Sequence, residues 1–102
     1  MEKIMVYFEM PGVSGEQYDQ VWRDLIAAGH AFPKGLLHHA AAPTTNGWLV
    51  VDVWESEDHF KEFGRMLMPI LSKNGMSGND PVILPLHHMY NVAEKPEYES
   101  KL

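Results

Sequence analysis

The residues best suited to chemistry crowd into "GLLHHAAAPTTNGWLVVDVWES", residues 35 to 56, which otherwise reads as two apolar strands and a turn. It holds His38, His39 and Asp52. A carboxylate in the middle of an apolar strand is costly unless a partner offsets its lost hydration. Asp52 therefore requires one: a backbone amide or a tyrosine in a purely structural bond, or an imidazole. Beside a neutral histidine it would fix the ring tautomer and leave the other ring nitrogen free to take a proton from an acidic C–H or O–H. His87, in "PVILPLHHMYN", is a candidate second acid or base. Tyr7 and Tyr90 offer hydroxyls to a developing oxyanion or enolate, though a tyrosine with one wet end is also common packing.

Side chains alternate across a strand, so His38 and His39 cannot enter one pocket together, nor can His87 and His88. A two-residue Asn46-Gly47 turn sets Thr45 opposite Trp48, Ala41 opposite Asp52 and His39 opposite Trp54, which places His39 on the face of Asp52. A loop longer by one residue would put His38 there. Trp48, Val50 and Trp54 share the face of Asp52 and are candidates to wall a small-molecule pocket; Leu49, Val51 and Val53 take the other face.

Other chemistries lack their residues. The chain has no cysteine, which removes disulfides, thiolate metal sites and a cysteine nucleophile. Six histidines invite a metal, but His-x-His, His-x-Glu and helical Glu-x-x-His spacings are missing, so no metal site and no bound cofactor are expected. Ser14 and Ser56 read as helix caps rather than nucleophiles, and "GVSGEQ" lacks the spacing of a phosphate-binding loop.

The elements that must position these groups follow in order. "KIMVYFEM" predicts a strand over about residues 3–10, ended by Pro11-Gly12. Ser14 and Gln17 form a capping box for a helix whose apolar stripe is Tyr18, Val21, Trp22, Leu25 and Ile26, closed near Gly29. After the hairpin, Ser56 caps a second helix with Glu57 and Asp58 in its first turn and a stripe of Phe60, Phe63, Leu67, Ile70 and Leu71. Pro69 predicts a kink or break, and Gly75 an end. "PVILPLHHMYN" predicts a last strand, placed at an edge by Pro85. Strand, helix, strand, strand, helix, strand is the ferredoxin-like α+β order, a four-stranded antiparallel sheet with both helices on one face. The other apolar face then predicts a homodimer packed sheet to sheet.

Over nearly its whole length to Asn91, the chain resembles the dimeric α+β barrel proteins related to antibiotic-biosynthesis monooxygenases. Within them it is most similar to small bacterial proteins of undefined activity with "PGV(S/T)xEQYD", "GLLxHxA", "GWxVVDVWES" and "PxH" segments, here "PGVSGEQYD", "GLLHHAA", "GWLVVDVWES" and "PLH". The resemblance implies His39 rather than His38 as the pocket histidine, Trp54 as an aromatic stacked on an aromatic or polyketide-like substrate, and a site that both subunits could complete through His87. Relatives of this fold include cofactor-free oxygenases, haem-degrading enzymes, polyketide cyclases and plain binding proteins. Haem-degrading relatives carry an asparagine on the first strand and a histidine ten residues past the tryptophan of strand three. Here those places offer Tyr7, Phe8 and Glu9, and Gly64, which disfavours haem.

Composition bounds the rest. One domain is expected over residues 1–92, followed by a polar tail over 93–102. Eight Lys and Arg against 14 Asp and Glu give a net charge of −6, and no basic stripe could neutralise phosphates, so nucleic acid is not an expected partner. "MEKIMVYFEM" does not read as a secretion signal, and no apolar run approaches the ~20 residues of a bilayer span, so a cytoplasmic protein without a membrane partner is expected. The expected function is cofactor-free, monooxygenase-like proton abstraction from a small apolar compound. A polyketide cyclase and a non-catalytic binding module are the alternatives.

Overall fold

The computed structural model describes residues 2–76 and 80–92; the tail expected over 93–102 lies outside the described residues. β1 (Ile4–Pro11) buries Ile4, Val6 and Met10 and leaves Tyr7 and Glu9 exposed, the alternation of a strand with one covered face. α1 (Gly15–Ala27) starts at a reciprocal cap: the Gln17 N–H donates to Ser14 Oγ at 3.2 Å and the Ser14 N–H to Gln17 Oε1 at 3.0 Å. β2 (Leu36–Thr44) and β3 (Gly47–Trp54) form the hairpin. α2 (Glu57–Lys73) begins at Ser56, whose Oγ accepts from the His59 N–H, and β4 (Val82–Pro85) closes the order.

The sheet runs β2-β3-β1-β4 with antiparallel neighbours throughout. Ile4, Val6, Met10, Val50 and Trp54 from its inner face pack with Val21 and Leu25 of α1 and Phe63 and Leu71 of α2, so both helices cover the same face. The fold is ferredoxin-like α+β. β2 and β4 are the two edges, as Pro85 requires of β4.

Three expectations change in detail. The hairpin turn is Thr45-Asn46, one residue earlier on the chain, with Thr44 paired to Gly47. Gly47 does not have a positive φ. Its lack of a side chain serves close approach instead, because a Cβ there would strike the Met10 carbonyl oxygen and sit 2.8 Å from the Gly12 nitrogen. α2 runs unbroken through Pro69, its stripe of Phe63, Leu67 and Leu71 holding it to the core where one backbone bond is lost. β4 is only four residues long; one more backbone bond, from the Leu86 N–H to the Lys3 carbonyl at 2.9 Å, follows it, and the segment with His87, His88 and Tyr90 lies beyond the strand.

The outer face of the sheet carries Met5, Tyr7, Val51, Val53, Val82 and Leu84, which meet as register partners across three strands. Tyr7, Val82 and Leu84 are exposed on it.

Candidate functional site

His39 and Asp52 are direct partners across β2 and β3, not one pair removed from each other as the expected turn would make them. The turn lies one residue earlier on both strands, which shifts the pairing by two and so leaves every side chain on the same face. His39 Nδ1 lies 2.6 Å from Asp52 Oδ1. His38 pairs with Val53 and points to the outer face, exposed. Toward the start of β2 the register slips at a bulge that leaves Leu37 unpaired, which brings Leu36 onto the face of His39.

Asp52 is buried, and both of its oxygens are occupied. Oδ1 meets His39, and Oδ2 accepts the indole N–H of Trp54 at 3.2 Å. A carboxylate only accepts, so a neutral His39 donates from Nδ1 and its Nε2 must accept. The acceptor is not free for a ligand: Tyr18 Oη of α1 lies 2.5 Å from Nε2. Tyr18 in turn accepts the Trp22 indole N–H at 2.9 Å. The result is a continuous chain in which Trp22 donates to Tyr18, Tyr18 to His39 and His39 to Asp52, while Trp54 donates to the same carboxylate from the other end.

The rings support the same geometry. Tyr18 and His39 are nearly parallel, 8° apart, and Trp22 meets His39 edge-on at 5.3 Å between centroids. Burial is the largest cause that raises the Tyr18 phenol above its ordinary pKa; the Trp22 bond opposes this, and the charges of Asp52 and Asp19 add to it. Tyr18 is therefore held as a neutral hydroxyl.

A cavity of about 50 Å³ adjoins this chain, between the sheet and both helices. Val50, Trp54, Phe8 and Leu36 line it together with Tyr18, His39 and Asp52. A space of that size holds a few waters, well below the ~300–1,000 Å³ of drug-sized ligand pockets.

Of the residues singled out in the sequence, His39, Asp52, Trp54 and Val50 thus come together. Trp48 stacks on Tyr18 at 5.4 Å, and its buried indole N–H has no acceptor among the described residues. Tyr7 lies on the outer face of the sheet, and Tyr90 and His87 follow β4 at the edge opposite β2. Within one chain, none of these three reaches the site. Sequence reading assigned Tyr18 and Trp22 to helix packing alone; two aromatics with polar tips at i and i+4 on one helix face were the available signal. Among the described residues, no group of three His, Asp or Glu side chains could hold a metal, and no helix is long and apolar enough to cross a membrane.

A crystal structure from Chloroflexus aurantiacus, described as a candidate antibiotic biosynthesis monooxygenase, superposes with a TM-score of 0.62 at 10% identity, covering 88% of this chain and 98% of that one. The Deinococcus radiodurans structure of the same description gives 0.57 at 13% identity, over 87% and 97%. A candidate monooxygenase from Shewanella loihica gives 0.54 at 18%, over 87% and 99%. The chain has the fold of these proteins. No protein-family profile matches the sequence, and no curated protein matches it. At these identities the likeness carries architecture, not activity.

Proposed function

We propose that this protein is a small-molecule enzyme of the cofactor-free, monooxygenase-like type, which removes a proton from a compact apolar compound. The observation that carries this reading is the Tyr18–His39–Asp52 chain opening on an apolar cavity. A bound compound with an acidic C–H or O–H gives its proton to Tyr18 Oη while Tyr18 passes its own to His39 Nε2. The products are a substrate anion and an imidazolium whose charge faces Asp52. No tyrosinate accumulates, in keeping with a phenol held neutral by burial. The anion can add molecular oxygen directly, as in an oxygenase, or attack a carbonyl of the same molecule, as in a cyclase.

Trp54 has a different part from simple stacking. Its N–H is committed to Asp52 and its ring packs on Phe60 and Phe63, so it positions the carboxylate. In this reading a homodimer forms through the outer sheet face, while His39 faces the helices, away from that interface. The proton chain is then complete within one subunit, and His87 takes no part in it.

A second reading, a non-catalytic binding module, draws on one feature of the same chain. Each polar atom from Trp22 to Trp54 has a partner, as in a structural network.

Oxygen consumption and substrate loss with ring-hydroxylated aromatics test the enzyme reading. His39→Ala is expected to lower turnover by about 10²–10⁴-fold with affinity nearly intact, the range of general acid–base catalysis. Turnover indifferent to His39→Ala and Tyr18→Phe would return the site to the binding reading.

A further inference from the structure

A second cavity, of about 160 Å³, lies farther along α2, walled by Phe8, Phe60, Gly64, Leu67, Met68 and Leu71. Phe8, Leu67 and Leu71 also wall the cavity beside the proton chain, so these three apolar side chains form the partition between the two spaces. Rotation of the Phe8 or Leu67 side chain, rather than backbone movement, would join them.

Gly64 is the unusual wall residue. It lies inside α2, where glycine is the poorest helix former after proline. Other glycines have a local reason to be glycine. Gly35 has a φ of 85° and lies against the His59 ring, and Gly47 packs on the backbone of β1. Gly64 has neither: its φ is not positive, and a Cβ built on it meets nothing within 4 Å. What its missing side chain does is leave the outer cavity open.

We infer that the outer cavity houses the apolar body of the compound whose acidic head reaches Tyr18, and that Gly64 is a specificity position that keeps room for it. This rests on the proton-transfer reading for the head group alone. The size suits the body: an apolar cavity of about 150 Å³ takes up benzene, so the space of about 160 Å³ has room for a single ring. The charge suits it too. The one ionic wall residue is Asp80, which disfavours an anionic tail. The ligand class is a compact compound with a single apolar ring and an acidic C–H or O–H head, of which an aryl 1,3-dione is a simple probe.

The test uses the full chain with two probes, 1-phenylbutane-1,3-dione, which has the ring, and pentane-2,4-dione, which lacks it. Binding is followed by NMR shifts of the Leu67 and Met68 methyl groups, and proton abstraction by deuterium uptake at the central carbon. Gly64→Phe fills the outer cavity and is expected to reduce the affinity ratio of the ring-bearing over the ringless probe at least tenfold. Met68→Trp, at an exposed position one turn farther along the same helix, also narrows it and should act in the same direction if Gly64→Phe fails to fold. An unchanged ratio in the folded variant, or no binding of the ring-bearing probe to the unmodified protein, overturns the assignment. If the probe binds with this dependence on Gly64 but its central carbon exchanges no faster than in buffer, the cavity assignment stands and the proton-transfer reading falls.

Discussion

Trp54 holds the oxygen of Asp52 that His39 does not. The two residues are i and i+2 on β3, so they share a face, and the indole reaches back along its own strand at 3.2 Å to fix the rotation of the carboxylate. Trp54→Phe keeps an aromatic ring beside Phe63 but leaves Oδ2 buried without its donor. It is expected to cost about 1.5–3 kcal/mol, the range for a hydrogen bond to a charged group, read as a lower urea midpoint at unchanged slope. A loss under half of that lower bound would mean that another donor takes over Oδ2.

Tyr18 sets the alkaline behaviour. An unfolded tyrosine ionises at its ordinary value of 10.0, whereas the buried phenol keeps its proton to higher pH. The folded state's advantage is therefore complete below about pH 10 and falls as pH rises from there through the raised folded value. In an ultraviolet titration a late ionisation step is expected, and Tyr18→Phe should remove it and flatten the alkaline loss of stability. A titration curve that Tyr18→Phe leaves unchanged at its alkaline end would contradict this.

Asp24 sets the acid behaviour. Asn74, the C-cap of α2, donates Nδ2–H to Asp24 at 2.9 Å and is the largest cause that holds its carboxyl below the ordinary range; the Gln20 bond comes next, and Lys73 adds to both. A depressed folded pKa gives stability that is present above the ordinary carboxylate range and lost as pH falls through the folded value. Asn74→Ala should lower the denaturation midpoint at neutral pH, and the gap from the unmodified protein should shrink in acid. A gap that does not change with pH would assign the effect to helix capping alone.

Gly47 anchors the hairpin against β1. An alanine Cβ there would collide with backbone atoms of Met10, Pro11 and Gly12, which cannot rotate away. Gly47→Ala is expected to cost about 3 kcal/mol, at the upper end of overpacking effects, visible in thermal and urea unfolding. A fully tolerated alanine would mean that the strand ends separate freely.

Much of this arrangement is legible in the sequence, for reasons that differ by residue. The facing of His39 and Asp52 depends only on parity, and the turn moved by an amount that preserves parity, so the pairing on one face held although the opposite residue changed. The caps at Ser14 and Ser56 are local and depend on neighbours within one turn. Tyr18 was not legible as a site residue because its partner comes from a strand 21 positions away, and helical spacing alone accounts for its burial. The strand expected over "PVILPLHHMYN" is shorter in the structure because "LHHMYN" has strand composition but no β1 residues to pair with: the last backbone bond, from the Leu86 N–H to the Lys3 carbonyl at 2.9 Å, already reaches the residue before β1.

The unpaired Leu37 has an evolutionary consequence. The pairing of β2 with β3 is set from the turn end, and the bulge takes up the mismatch at the other end, beside the connection from α1. Changes in length within residues 28–35 can then be absorbed before they reach His39. That connection can vary from one descendant protein to another, Gly29 and Gly35 with their positive φ apart, without turning the histidine away from its acid.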